Sequence, residues 1–176
     1  TQPKEVGANR NAPDHTWNAI KIDGKWKLVD TTWAAGYFTF NGWTKAFNED
    51  FYDIKPERAI LTHFPQDSRW QLLEKTISKK TFFTFPVYYS HLFFYDVALV
   101  HPKKGVLKQD NNTITLRFKT IPKNKHISYA YSNEEFSEPL TFVLTNNEFI
   151  ATIPAKKAPF LTLYIDGISI LDFKII

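Results

Sequence analysis

The sequence predicts an α+β chain in two parts, residues 1–85 and 86–176, and three observations carry that expectation. Two short alternating runs flank Asp23-Gly24, a strong hairpin signal because both turn positions favour positive φ. Helix signals are confined to the middle of the chain, near Pro56 and Asp67. From about Pro86 onward, short apolar runs recur about every 8–12 residues between polar turns, the pattern of an antiparallel sandwich.

Taken in order, Ala19-Ile20-Lys21-Ile22 and Trp26-Lys27-Leu28-Val29 form the hairpin strands, and the second is expected to run on through Asp30 to Trp33. Pro56-Glu57-Arg58-Ala59-Ile60-Leu61 predicts a helix opened by proline, whose missing donor costs little in the first turn. Asp67 to Leu73 predicts a turn or short helix. Phe82 to Tyr89 is aromatic-rich and broken by Pro86, as expected of buried strand or packing between the two parts. Strands are then predicted at Thr113–Phe118, Ile127–Tyr131, Leu140–Leu144, Phe149–Ile153, Phe160–Ile165 and Ile168–Ile176. The turns between them are marked by Asp110-Asn111-Asn112, Asn146-Asn147 and Asp166-Gly167. Ile114, Leu116 and Phe118 alternate with Thr115 and Arg117, which suits a sheet with one buried face.

A two-residue loop sets Ile22 opposite Lys25, so Trp17 would face Asp30 and His15 would face Thr32. Alternation then places His15, Trp17, Asp30 and Thr32 on one face. His15 and Asp30 become diagonal neighbours, roughly 7–8 Å apart along the backbone and closer at the side-chain ends. A carboxylate in that position holds one imidazole nitrogen as a donor and leaves the other free as a base. A bulge at the turn would put the two on opposite faces. By spacing alone, a histidine–aspartate pair on a hairpin is more often a structural hydrogen bond.

The flanking residues add to this. His15-x-Trp17-Asn18, Asp23-Gly24-Lys25-Trp26, Leu28-Val29-Asp30 and Thr32-Trp33-Ala34-Ala35-Gly36 resemble the second half of a transglutaminase-like domain, in its kyphoscoliosis-peptidase and cytokinesis-associated branch. Phe51-Tyr52, Pro56-Glu57, Leu61-Thr62-His63-Phe64-Pro65 and Trp70-Gln71-Leu72-Leu73 extend the resemblance over about residues 12–75. It implies a papain-like architecture, in which a cysteine at a helix start faces an antiparallel sheet. It also implies His15 as the catalytic histidine, Asp30 as the catalytic aspartate, and Trp17 and Trp33 as walls of the site. His63 matches a position the resemblance implies to be structural, satisfying backbone groups near Phe64-Pro65. Ala34-Ala35-Gly36 stands where that family has Gly-Ala-Gly.

The chain contains no cysteine. Two explanations fit: a fragment whose N-terminal half carries the nucleophile, or a pseudoenzyme that keeps the fold without the chemistry. The absence of methionine and the opening Thr1 to Pro13 favour the fragment. As given, the chain is expected to be inactive. The hydroxyls of Thr32 and Ser68 do not occupy the helix position the resemblance implies. The expected substrate is a protein or peptide amide, hydrolysed or passed to an amine. The alternative is a peptide-binding or structural envelope module, and an extracytoplasmic bacterial setting is the expected compartment. The second part resembles an immunoglobulin or fibronectin sandwich, expected to buttress the first or present loops.

Composition narrows the classes further. A chain that is 43% hydrophobic and 16% aromatic can build a core. No run approaches the roughly 20 apolar residues of a membrane span. The net charge is +4, but lysines are dispersed in pairs such as Lys79-Lys80, Lys103-Lys104 and Lys156-Lys157. A nucleic-acid surface would cluster them. His63, His91, His101 and His126 are far apart in sequence, with no ligand-spaced pair, so neither a metal nor another cofactor is expected.

Overall fold

The computed structural model describes residues 3–7, 12–39, 42–109 and 112–176, and the chain divides into two compact units. One is Arg10–Lys79; the other joins Thr1–Asn9 to Lys80–Ile176. Residues 80–85 thus pack with the second unit rather than with the first part that the sequence suggested.

In the first unit, β1 (Asn18–Ile22) and β2 (Lys25–Val29) pair antiparallel, from Ile22 opposite Lys25 to Asn18 opposite Val29. Asp23 at φ 48° and Gly24 at φ 77° make the turn, so the register is the one the dipeptide predicts. The expected continuation through Trp33 does not form. Asp30 instead caps helix α1 (Thr31–Ala35), its side chain accepting from the backbone N–H groups of Thr32 and Trp33. An aspartate satisfying the orphan donors of a first turn competes directly with further ladder pairing. The predicted Trp17–Asp30 and His15–Thr32 facing positions therefore fall outside the paired strands.

Gly36 leads from α1 into β3 (Gly36–Thr39), which pairs with β4 (Gly42–Lys45). A Cβ on Gly36 would stand 2.1 Å from the Thr44 carbonyl oxygen, so only glycine lets the hairpin backbone approach. Strand β5 (Tyr52–Ile54) pairs with β2, giving the order β1-β2-β5. Helix α2 (Pro56–Thr62) opens with Pro56 as predicted, and a 3-10 turn at Ser68–Gln71 fills the second helical prediction. Leu28, Ala34, Phe51, Ile54 and Ala59 form the core under this sheet, with Ala19 and Leu72 against it. Gln71 is buried, and its amide both donates to the Ile77 carbonyl and accepts from the Ile77 N–H, each at 2.9 Å.

Helix α3 (Lys79–Phe82) leads into the second unit, followed by β6 (Val87–Tyr88), α4 (Ser90–Phe94), β7 (Ala98–His101) and β8 (Val106–Leu107). Then come β9 (Thr113–Thr120), β10 (Ile127–Tyr131), β11 (Glu138–Pro139), β12 (Val143–Thr145), β13 (Glu148–Pro154), β14 (Phe160–Ile165) and β15 (Ile168–Ile175). One sheet has the order β11-β10-β14-β15-β6, with β8 parallel to β15; the other has the order β12-β13-β9-β7.

Two expectations are corrected in this unit. A helix, α4, forms after Pro86, because one turn buries both Leu92 and Phe93 while Phe94 stays in solvent. Leu140–Leu144 is not one strand: Leu140 is buried with its N–H on the Ile127 carbonyl, and pairing starts only at Val143. The Asn146-Asn147 and Asp166-Gly167 turns adopt positive φ at all four positions. Asp110 and Asn111 of the third expected turn lie outside the described residues.

Ile114, Leu116 and Phe118 are buried on the smaller sheet, as their alternation predicts, and Leu161, Leu163, Ile165, Leu171 and Phe173 on the larger. The Tyr131 hydroxyl on β10 donates to the Pro154 carbonyl on β13 at 2.6 Å, tying the two sheets together. No described helix is long and apolar enough to cross a membrane.

Candidate functional site

Asp30 is the centre of the constellation and is fully buried. Its place follows from the chain on both sides. β2, the middle strand, delivers it just past the end of the sheet, its own N–H bonds the Phe51 carbonyl at 2.9 Å, and α1 starts from its carbonyl. Oδ1 accepts from the N–H groups of Thr32 and Trp33 at 3.0 Å each, which locks the carboxylate plane. Oδ2 points the other way and meets two imidazoles.

The first is His15, whose Nε2 lies 2.5 Å from Oδ2, with its side chain 24% exposed. A carboxylate oxygen can only accept, so Nε2 carries the proton and the neutral ring keeps its lone pair on Nδ1. Among the described residues no hydrogen bond engages that Nδ1. The Trp33 ring stacks on His15 at 5.2 Å between centroids, inclined 27°, and Trp17 lies at 6.4 Å, inclined 23°. Indole faces on an imidazole restrict its rotation and limit water near it.

The second imidazole is His63, whose Nε2 is 2.9 Å from the same Oδ2. The structural role expected from the sequence, serving backbone near Phe64-Pro65, is not what its ring does: its nitrogens meet the side chains of Asp30 and Thr62. His63 ends α2, its N–H bonding the Ala59 carbonyl at 2.7 Å. The helix exit thereby aims the ring at a carboxylate 33 residues earlier. No short-range sequence signal marks that approach; the available cue is a histidine directly after a proline-led helix in a unit that already holds a histidine–aspartate pair.

Burial of the Asp30 carboxylate works to raise its pKa, but bonds from His63, the Trp33 N–H and His15, with the charge attraction of His15, outweigh it and hold it at about 2, below the ordinary aspartate value of 3.8. The folded state therefore binds this proton less readily than the unfolded chain. Its stabilisation is complete above about pH 4 and is lost as pH falls toward 2, an effect of about 2 kcal/mol. Other carboxylates titrate in the same window, so the measurement is a difference. Urea midpoints of wild type and Asp30→Asn should diverge above pH 4 and converge toward pH 2; parallel curves would contradict this.

Ligand atoms of His15, Asp30 and His63, one from each, lie within 4.8 Å of one another, a donor set of the type that suits zinc. Their two N···O separations are shorter than the roughly 3.3 Å expected between ligands of a tetrahedral zinc. At 2.5 and 2.9 Å they are the separations of hydrogen bonds.

The arrangement thus combines a partly exposed imidazole, a buried carboxylate that holds that ring, and two indole rings beside it. The chain itself supplies no thiol.

Comparison with known proteins adds an independent line. The chain is 31% identical over 105 residues to Kyphoscoliosis peptidase of Mus musculus, covering 58% of this chain and 16% of that protein. The human Kyphoscoliosis peptidase matches at 30% over 105 residues, again 58% of this chain and 16% of the relative. A LIM and transglutaminase domain protein of Caenorhabditis elegans matches at 24% over 135 residues, 69% of this chain and 19% of its own length. The chain therefore spans less than a fifth of these relatives. No protein-family model matches it. Together the relatives support a transglutaminase-like relationship.

Proposed function

We propose that the unit Arg10–Lys79 is the histidine–aspartate half of a transglutaminase-like thiol acyl-transfer site acting on protein or peptide amides. The observation that carries this reading is the His15 Nε2–Asp30 Oδ2 hydrogen bond, with Nδ1 of the same ring free of hydrogen bonds among the described residues. A thiol delivered to that nitrogen loses its proton to His15, and the thiolate adds to the amide carbonyl. The C–N bond then breaks, the amine leaves with the proton from His15, and a thioester remains. Water or a second amine, deprotonated by the same nitrogen, releases the acyl group and the thiol. Asp30 supports the imidazolium in each half-reaction, and Trp17 and Trp33 limit water around it.

The nucleophile is proposed to come from a segment outside this sequence. Support comes from the resemblance over residues 12–75 and from relatives whose names include a peptidase and a transglutaminase domain protein. The second unit is read as an immunoglobulin-like sandwich. The order β7-β9-β13-β12 corresponds to A-B-E-D, and β10-β14-β15 to C-F-G. The zero cysteine count favours one other reading, a non-catalytic peptide-binding module that keeps the cleft.

The test is turnover in the whole gene product. Full-length protein should release amine from a peptide amide in an iodoacetamide-sensitive way, and His15→Ala should reduce that to background. The 176-residue chain alone should show none. Full-length activity that survives His15→Ala would refute the role of His15. Absence of any thiol-dependent turnover would favour the binding module.

A further inference from the structure

His63 is buried, it touches Asp30 of the His15–Asp30 pair, and the acyl-transfer scheme gives it no task. Its side chain is 2% exposed. Both of its nitrogens are engaged, Nε2 with Asp30 Oδ2 at 2.9 Å and Nδ1 with the Thr62 hydroxyl at 2.7 Å. The proton positions follow from the partners. Oδ2 cannot donate, so Nε2 must. A neutral ring then has a lone pair on Nδ1, and the Thr62 O–H donates to it in preference to the Ala59 carbonyl at 3.4 Å.

We propose that His63 is a positioning residue for the His15–Asp30 pair: its Nε2–H occupies one acceptor direction of Asp30 Oδ2 and leaves the other to His15. This rests on the reading of His15 as the thiol-activating base. Four donors surround the carboxylate, two backbone N–H groups on Oδ1 and two imidazoles on Oδ2. The first two fix its plane. His63 restricts where around Oδ2 a further donor can sit, and so where His15 must stand. With His15 committed through Nε2, the lone pair for a thiol is kept on Nδ1. The bond from His63 is also the largest of the influences that lower the Asp30 pKa, which keeps Asp30 anionic as the imidazolium forms beside it.

A space-filling role alone would be met by any ring of similar size. Phenylalanine keeps the ring without a donor; glutamine keeps an N–H donor without the ring. The experiment is NMR on the 176-residue chain, with 15N-labelled imidazoles and 13C-labelled aspartate carboxyls. In wild type both His15 and His63 should be Nε2–H tautomers. In His63→Phe the Asp30 carboxyl should titrate about one unit higher than in wild type, and the Nε2–H to Nδ1–H ratio of His15 should fall several-fold. His63→Gln should restore both.

A wild-type His63 protonated on Nδ1 with Nε2 bare would overturn the proposal without any variant. So would a His63→Phe chain that matches wild type in both readouts. Should His63→Phe fail to fold, His63→Gln decides: recovery of the wild-type Asp30 titration supports the donor role, and failure to recover it in a folded chain refutes it. None of these measurements needs a thiol. Full-length protein without cysteine-dependent turnover would therefore sink the catalytic reading while leaving the coupling of His63 to Asp30 intact. Unchanged NMR readouts beside normal turnover would sink the coupling alone.

Discussion

Asp30→Ala should destabilise the unit Arg10–Lys79 by about 3–5 kcal/mol, the scale for stripping one member from a buried charged network. The carboxylate accepts four hydrogen bonds, and its loss leaves all four donors facing a small apolar void. Loss of the helix cap alone costs about 1 kcal/mol. Each buried donor left unmet adds about 1–3 kcal/mol, with partial relief from water for His15, the most exposed of the imidazole pair. Asp30→Asn should cost less, since Oδ1 can still cap α1 while its amide nitrogen meets the two imidazoles. That amide cannot accept from Nε2–H, so both rings must change tautomer or withdraw. Urea unfolding followed by tryptophan fluorescence, with Trp17 and Trp33 beside the site, measures both variants. A loss below about 1 kcal/mol for Asp30→Ala would mean the four bonds are replaced by water at little cost, against the burial seen here.

In the second unit the largest loss is expected from Phe173→Ala, again about 3–5 kcal/mol. Phe173 is inaccessible to solvent on β15, opposite Leu161 of β14, and that face also carries the equally inaccessible Leu163 and Leu171. β15 lies inside the larger sheet, hydrogen-bonded to β14 on one side and to β6 and β8 on the other. It cannot move to close the cavity without breaking ladder bonds, so the loss includes cavity as well as transfer terms. Phe173→Leu should retain most of the stability. Val143→Ala, on the exposed edge strand β12, should change it by no more than about 0.5 kcal/mol. Denaturant midpoints that rank Val143→Ala with Phe173→Ala would contradict this placement of the core.

Much of this molecule is written in short stretches. Asp23-Gly24 specifies a two-residue turn and with it the pairing from Ile22–Lys25 to Asn18–Val29. Pro56 opens a helix, and the alternation of Ile114, Leu116 and Phe118 assigns the buried face of β9. These are consequences of backbone preference and side-chain period, which act over a few residues. The meeting of His15 and Asp30 was also legible, since both flank one hairpin, although the paired strands stop at Asn18 and Val29.

Other features were settled at longer range. Whether Asp30 continues a strand or caps a helix depends on which donors its side chain meets, and the N–H groups of Thr32 and Trp33 take Oδ1. Ser90–Phe94 has an aromatic strand-like composition, yet it coils because one helical turn buries Leu92 and Phe93 together. His63 meets Asp30 across 33 residues of chain. Sequence by itself determined the hairpin, the strands β9, β10, β13, β14 and β15, and the paired imidazole and carboxylate. Tertiary structure alone decided that the carboxylate would be fully buried and shared by a second imidazole. Such a meeting is set by how α2 packs on the sheet, and packing of distant segments leaves no period in the residues themselves.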